Sequence, residues 1–384
     1  MADVGTNVGA RYLRQPRGRA RSAASATQWQ LIWWRFRRHR LAMFGLAVLS
    51  ALILIGAFAG FLAPYASGTR STAYLSGPPT GIHWIDQDGR FHLRPFIYGR
   101  NLERDPVTLR LFAKVDQSVR LPVHFFVRGQ EYEFWGLFRS DLHLFGTAND
   151  SIHLFGTDSI GRDVFSRTLF ATRVSLSVGA VGVLIAFVLG SVIGGIAGLY
   201  GGWIDSTIMR LIEFIRSVPT LPLWMALSAA VPRTWTPLQT YLAITMILAL
   251  IGWTWLARTV RSKLLALRHE DFVLAARLSG CSDARIIGRH LLPSFFSYLI
   301  VDVTIAFPEI LLAETALSFL GLGLREPVES WGVLLSGAQN VRALAHTPWL
   351  MIPGIFVVVA VLAFSFVGDG LRDAADPFSK EGLS

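Results

Sequence analysis

The stretch LAMFGLAVLSALILIGAFAGFLA, residues 41–63, contains no charged side chain. At 1.5 Å per residue, a helix of this length crosses the ~30 Å hydrocarbon core of a bilayer. The whole chain agrees with this reading, because 52% of its 384 residues are hydrophobic and only 16% are charged, against roughly 25% charged in an average soluble domain. The sequence therefore predicts an all-α membrane protein and excludes a disordered chain.

Further apolar stretches of similar length follow the first. The stretch 207–231 is the least uniform of them, since Arg210, Glu213 and Arg216 lie in its first half. We expect six transmembrane helices. The predicted spans are residues 41–63, 171–200, 207–231, 238–257, 295–322 and 348–368.

The arginines and lysines predict the orientation. Residues 1–40, a basic tail followed by a Trp- and Arg-rich interfacial helix, hold nine Arg and one acid, and residues 258–294 hold seven Lys or Arg against three acids. Short basic segments stay on the cytoplasmic side. With six spans, both termini, including the tail 369–384, are then cytoplasmic. The net charge of +10 is thereby attributed to cytoplasmic segments, and no nucleic-acid partner is expected.

The segment 64–170 is expected outside the cytoplasm. It holds 12 basic and 11 acidic residues, and the charge bias does not act on long loops. Two hairpins are predicted in it, with turns at Asp88–Gly89 and Gly129–Gln130, because these pairs have the backbone freedom that tight turns need. We expect a small, mostly β insert between the first two helices. Its role as a simple cap or as a docking site for an outside partner stays open.

Catalytic motifs are absent from the sequence. It contains no phosphate-binding GxxxxGK[ST] loop, no HExxH and no GxSxG. The nine histidines are scattered without metal-ligand spacing, and a single cysteine, Cys281, excludes a disulfide within the chain. We therefore expect a transport protein that is not an enzyme and binds no cofactor or metal itself.

The basic loop between the fourth and fifth spans carries the most informative local pattern. It reads HEDFVLAARLSGCSDARIIGRHLLP, residues 269–293. A glycine that adopts the left-handed conformation commonly ends a helix, and proline cannot continue one. The pattern predicts two short helices with a bend at Gly280, the second ending at Pro293.

This loop resembles a known family. Ala275–Ala276, Gly280 and Leu292–Pro293 match the EAA loop of permease subunits in binding-protein-dependent ABC importers, although Leu274 and His290 replace the Glu and Ile that the family often has. Four further stretches resemble the second permease subunit of the oligopeptide and dipeptide branch. They are HLFGTDSIGRDVFSRTLFATRVSLSVG, GGWIDSTIMR, AETALSFLGLGLREPVESWG and VGDGLRDAADP.

The resemblance implies a type I permease fold in a bacterial inner membrane. It implies peptide cargo delivered by a solute-binding protein, with oligosaccharides or nickel as alternatives. It also implies a homologous permease partner and two ATP-binding subunits, which would hold ATP and Mg. The residues expected to couple this chain to those subunits are Ala275, Ala276, Gly280, Leu292 and Pro293.

Carboxylates inside the fifth span are candidates for the transport pathway. Asp302 and Glu309 are seven residues apart and therefore lie on nearly one face of a helix. They either line the pathway or fix helix packing, since an unpaired intramembrane charge is costly. For Glu314, which precedes SFLGLG, a structural role is favoured. A stand-alone transporter or channel that uses Asp302 and Glu309 as ion sites is the alternative of a different class, and a membrane enzyme is the third.

Overall fold

The computed structural model describes residues 27–72, 74–104, 111–147 and 152–375. The predicted basic tail over 1–26 and the carboxy-terminal residues 376–384 lie outside this part. The strands are β1 (His83–Ile85), β2 (Phe91–Arg104), β3 (Leu111–Pro122), β4 (His124–Phe134) and β5 (Phe138–Gly146). The helices are α1 (Gln28–Phe36), α2 (Arg40–Ala57), α3 (Ala59–Leu62), α4 (Val164–Tyr200), α5 (Gly202–Ser217), α6 (Thr220–Ala229), α7 (Pro237–Leu267), α8 (Asp271–Leu278), α9 (Asp283–Arg285), a π-helical turn (Ile286–Leu291), α10 (Leu292–Ser294), α11 (Phe296–Phe319), α12 (Trp331–Ser336), α13 (Val341–His346), a 3-10 turn (Pro348–Met351) and α14 (Ile352–Ala375).

Five of the described helical segments are long and apolar enough to cross a membrane. They are α2, α4, α7, α11 and the 3-10 turn with α14, so the prediction of a mostly helical, bilayer-spanning chain is confirmed at this level. Helix α4 packs along α7, and α14 packs against α2 and α11. The largest core cluster joins these helices through side chains that include Val178, Leu248, Leu311 and Trp331.

A stripe of glycines lets α4 and α7 approach closely. A Cβ added at Gly198 would lie 2.7 Å from Cβ of Leu264 and 2.9 Å from the Arg261 carbonyl oxygen. A Cβ at Gly190 would lie 3.0 Å from the Trp253 carbonyl oxygen. Small residues at every fourth position therefore serve packing here, as they do in many membrane helices.

The stretch predicted as the third span, 207–231, is not one helix. Helix α5 ends at Ser217, Val218 is extended with φ −87° and ψ 133°, and Pro219 precedes α6. The proline ring clashes with a helical residue before it, which explains the break. Helix α6 has only ten residues, about 15 Å. Six spanning helices are therefore not confirmed in the described residues.

Three helices extend beyond their predicted spans. Helix α7 continues ten residues past 257, to Leu267, so the predicted loop 258–294 begins as helix. Helix α4 begins at Val164 and α14 continues to Ala375. Polar residues at these ends kept them out of the hydropathy windows although they continue the same helices.

All described strands lie between α3 and α4. Strands β1, β2 and β3 form one antiparallel sheet, and β4 and β5 form another. The turn predicted at Asp88–Gly89 is present, with Gly89 at φ 76°. The turn predicted at Gly129–Gln130 is wrong, because both residues lie inside β4. A Cβ at Gly129 would lie 2.7 Å from the His143 ring, so this glycine permits a close approach and the chain reverses at 135–137.

Candidate functional site

The segment between α7 and α11 begins with α8, which ends as its sequence predicts. Gly280 has φ 75°. Its N–H donates to the Arg277 carbonyl at 3.0 Å, and the Cys281 N–H donates to the Ala276 carbonyl at 3.1 Å. These two bonds form a Schellman motif, in which a left-handed glycine satisfies the last carbonyls of a helix. The predicted bend at Gly280 is confirmed.

Helix α8 has one anchored face and one exposed face. Val273 and Ala276 are buried in a cluster that also contains Leu264 of α7 and Leu299 of α11. The opposite side carries the exposed apolar face of α8, formed by Leu274 and Leu278, and Phe272 is exposed on the flank of the helix. The Leu278 side chain is 91% exposed. Exposed apolar side chains that are grouped on one small helix are typical of a protein-binding surface.

The second half of the segment differs from its prediction. A π-helical turn runs from Ile286 to Leu291, and α10 then includes Pro293. Pro293 does not end a helix, because the first turn needs no N–H donor and tolerates proline. The break falls at Phe295, whose φ is −125°. Wide π turns are rare and occur often at functional sites.

The five predicted coupling residues are only partly brought together. Ala276 lies in the buried cluster and Leu292 packs against it. Ala275, Gly280 and Pro293 are on the surface. The buried residues therefore hold this segment against α7 and α11, and the bend at Gly280 faces solvent.

A cavity of about 820 Å³ opens beside the first half of α11. Asp302 and Glu309 both line it, as their spacing predicts. Sequence reasoning missed three other groups that line it, which come from other helices. They are Arg216, Trp255 and Arg372. The cavity thus presents carboxylates and guanidinium groups together.

The surroundings of the two carboxylates differ. Asp302 accepts a hydrogen bond from Thr259, and Arg372 and Lys263 contribute positive potential to it. Its Oδ2 is buried and has no hydrogen-bond partner among the described residues. Glu309 is exposed to the cavity. A buried carboxylate oxygen without a donor is uncommon in folded proteins.

Glu314 does not line this cavity. Its side chain is fully buried and accepts hydrogen bonds from Ser318 Oγ at 2.7 Å and Ser175 Oγ at 3.5 Å. The Ser175 hydroxyl oxygen in turn accepts a hydrogen bond from the backbone N–H of Trp331 at 3.1 Å, and the Ser318 hydroxyl oxygen accepts one from the backbone N–H of Leu324 at 2.9 Å. Glu314 therefore joins α4, α11 and the start of α12.

Charged residues at the other end of the bundle form a second cluster, which we call the outer ionic cluster (Asp158, Arg162, Arg167, Glu326, Glu329). Arg167 donates to Glu329 Oε1 at 2.7 Å, to Asp158 Oδ2 at 2.8 Å and to Glu326 Oε1 at 3.0 Å. Arg162 donates to Asp158 at 2.7 Å and to Glu326 at 2.6 Å. The sequence did not indicate that Glu326 and Glu329 belong to this cluster, since they lie some 160 residues from Arg167.

The two glutamates of this cluster have opposite pKa shifts. Burial raises the pKa of Glu329 to about 6, although the neighbouring Arg167 counteracts the shift. The hydrogen bond from Arg162 lowers the pKa of Glu326, which is half exposed. The cluster thus has a structural role, because it joins the start of α4 to the segment that precedes α12. Among the residues that the structure describes, no three His, Cys, Asp or Glu side chains are grouped as metal ligands.

Comparisons with known proteins find a family for this chain. Residues 190–380 match the model of the binding-protein-dependent transport system inner membrane component, and residues 27–79 match the N-terminal TM domain of oligopeptide transport permease C. The dipeptide transport system permease protein DppC of Bacillus subtilis is 31% identical over 346 residues, covering 90% of this chain and 84% of the relative. The oligopeptide transport system permease protein OppC of the same organism is 27% identical, covering 93% of this chain and 92% of the relative.

A structural likeness is weaker. Inward-facing structures of the MetNI methionine ABC transporter align with 52% of this chain and 93% of the solved chain, at 19% identity and a TM-score of 0.40.

Proposed function

Because the chain belongs to the inner membrane components of binding-protein-dependent transport systems, we propose that it is a permease subunit that moves peptides through the membrane of an ATP-driven importer. Its partners are a homologous permease, two ATP-binding subunits that hold ATP and Mg, and an extracytoplasmic solute-binding protein. The membrane is the bacterial inner membrane, and both termini face the cytoplasm. The names of the relatives support the cargo class.

The observation that carries this proposal is the two-sided helix α8. Its exposed apolar face (Leu274, Leu278) docks on an ATP-binding subunit, and its buried face is packed against α7 and α11. A push on α8 is therefore passed to two membrane helices through Val273 and Ala276. The hydrolysis itself belongs to other chains, in agreement with the lack of a phosphate-binding loop in this sequence.

A sixth membrane crossing is needed to place both termini on the same side of the membrane. With five crossings the termini would lie on opposite sides, whereas the basic segments 1–40 and 258–294 favour the same side. Helices α5 and α6 together, interrupted at Val218–Pro219, supply this crossing. Arg261 of α7 pairs with Asp205 of α5, and Arg258 lies 3.7 Å from Glu213. These contacts support a position of α5 beside the inner half of α7.

The cavity beside α11 belongs to the cargo pathway. A peptide carries an ammonium group and a carboxylate at its ends, and the cavity offers Asp302 and Glu309 for the first and Arg216 and Arg372 for the second. Oligosaccharides or nickel are alternative cargoes. An uptake assay with each, in the presence of the cognate binding protein, distinguishes them.

The experiment that tests the docking surface is the variant Leu278→Asp. A carboxylate on the exposed apolar face of α8 should abolish co-purification of the ATP-binding subunits and uptake, while the chain itself still folds because Leu278 contacts little of it. The matched control is Leu93→Asp, at an equally exposed leucine of β2. It should keep the subunits bound.

Two results would contradict the proposal. One is a Leu278→Asp complex that retains its ATP-binding subunits at wild-type stoichiometry. The other is full-speed transport by the purified chain reconstituted alone, which would instead support a stand-alone transporter.

A further inference from the structure

The β4–β5 hairpin ends against the outer end of the first long helix. The indole N–H of Trp135 donates to the carbonyl of Ala57, the last residue of α2, at 3.1 Å. The Phe134 ring lies 5.7 Å from the ring of Phe58. The guanidinium of Arg173, on α4, lies 4.0 Å above the Trp135 ring. The reversal of this hairpin is therefore attached to two membrane helices.

The attachment lies at the depth of a membrane surface. Ala57 follows Arg40 by 17 residues, which is about 25 Å along a helix. Along α4, Arg173 precedes Tyr200 by 27 residues, about 40 Å. The hydrocarbon core is ~30 Å thick. The two lengths lie on either side of this thickness, so the end of the hairpin lies near the outer boundary between acyl chains and headgroups.

Apolar side chains project from the hairpin at this depth. We call Trp135, Leu137 and Phe138 the hairpin tip. Leu137 is 80% exposed, and the two aromatic side chains are about half exposed. The nearest charged pair on the strands is Arg139 with Glu133, 3.5 Å apart. Because these two charges offset each other, a tip placed in lipid would not carry an unpaired charge with it.

The backbone of the turn adds a separate observation. Trp135 has φ 55° and Gly136 has φ 69°. Left-handed backbone at a turn favours Gly or Asn, and a bulky aromatic residue there is an outlier. Such outliers persist where the surrounding structure holds them and often mark a functional role. The indole thus occupies a position that relaxed turn chemistry would give to a smaller residue.

We infer that the hairpin tip inserts into the outer leaflet and fixes the insert to the lipid surface. The Trp135 ring lies at headgroup level, where indoles are enriched, and Arg173 extends beside it toward the lipid phosphates. Leu137 and Phe138 contact the first acyl carbons. The occupant is lipid and not a protein partner, because the tip lies beside the end of a spanning helix and not on the face of the insert farthest from the membrane.

The test compares two leucines of the insert by fluorescence quenching. In a Cys281→Ser background, Leu137→Cys and Leu93→Cys are each labelled with a bimane fluorophore. Both positions are exposed, so neither change alters packing. The full importer is reconstituted in phosphatidylethanolamine and phosphatidylglycerol vesicles containing doxyl-labelled phosphatidylcholine. We expect lipid quenching to be several-fold stronger at 137 than at 93, and iodide quenching from water to be several-fold weaker.

Two results would overturn the inference. Equal quenching at 137 and 93 would place the hairpin tip in water. Protection of position 137 from both quenchers would place it against another protein chain. Binding-protein-stimulated ATP hydrolysis of each labelled complex reports that the importer is assembled, so a folding failure is recognised separately.

Discussion

The outer ionic cluster and the segment that carries α8 are held by different interactions. In the cluster, Arg167 is only 5% exposed and bonds three carboxylates from two distant parts of the chain. In the segment after α7, α8 is held through Val273 and Ala276, and a Cβ added at Gly280 would have no atom within 4 Å other than those of its chain neighbours. Buried charges are stable only with every partner in place, whereas apolar contacts are non-directional. The ionic cluster therefore depends on one arrangement of its partners, whereas the apolar contacts of α8 tolerate small displacements.

The largest expected effect comes from removing the central cation of the outer ionic cluster. Arg167→Ala leaves Glu329 buried without its guanidinium partner, which costs about 3–5 kcal/mol of unfolding free energy for a buried pair. We expect little folded protein, measured as the monodisperse fraction after extraction and as thermal unfolding. The control Arg325→Ala removes a guanidinium that donates to the exposed Gly321 carbonyl at 3.3 Å and should change stability by less than ~0.5 kcal/mol. Equal stability of Arg167→Ala and Arg325→Ala would show that the outer ionic cluster contributes no more to folding than the Arg325 guanidinium does.

The next effect concerns the bend that follows α8. Gly280→Val forces a β-branched residue into left-handed backbone, at a cost of about 1–2 kcal/mol, although its side chain meets no neighbour. We expect uptake to be lost while ATP hydrolysis continues, measured together in vesicles. The control Gly288→Ala adds a methyl group in open space without a left-handed φ and should behave as wild type. If Gly280→Val leaves the ratio of uptake to ATP hydrolysis unchanged, the bend at Gly280 does not couple the two.

Acidity should act on the outer ionic cluster through Glu329. Its pKa is about 6 in the folded protein against 4.5 ordinarily, so the folded state holds the proton more tightly than the unfolded state does. Stability should therefore fall by about 2 kcal/mol at most as pH rises from 4.5 to 6, and stay level above. Glu329→Gln should remove this fall in the melting temperature. Glu326, whose pKa is lowered, contributes in the opposite sense, so Glu326→Gln should reduce the loss of stability toward acid.

The smallest effect is expected in the cavity. Glu309→Gln keeps the shape of an exposed side chain, so the stability should stay within ~0.5 kcal/mol of wild type. Apparent KM for peptide uptake should rise several-fold if the carboxylate meets a peptide ammonium, and Glu309→Asp should restore part of it. A KM equal to wild type in Glu309→Gln would assign this residue to helix packing.

The sequence predicted what depends on local pattern. Uncharged runs such as 41–63 indicate long helices because lipid leaves few alternatives. Gly280 predicts a helix end because only glycine adopts its backbone readily. The seven-residue spacing of Asp302 and Glu309 predicts a shared face, and both line one cavity.

Features that depend on distant partners were not predictable. Gly129 and Gly136 are both plausible turn residues, and only the approach of the His143 ring determines which one sits inside a strand. Arg167 finds Glu329 across 162 residues, a pairing that no local spacing contains. The apolar composition of 207–231 predicted one continuous helix, although Pro219 restricts the residue before it to an extended conformation.

Helix α4 has 37 residues, about 55 Å, and is much longer than a bilayer requires. If the hairpin attaches at Arg173, the nine residues before it rise roughly 14 Å clear of the lipid. The start of α4, which carries Arg167 of the outer ionic cluster, then projects beyond the membrane surface. If the proposed solute-binding protein docks on this end of α4, its contact surface lies above the lipid headgroups.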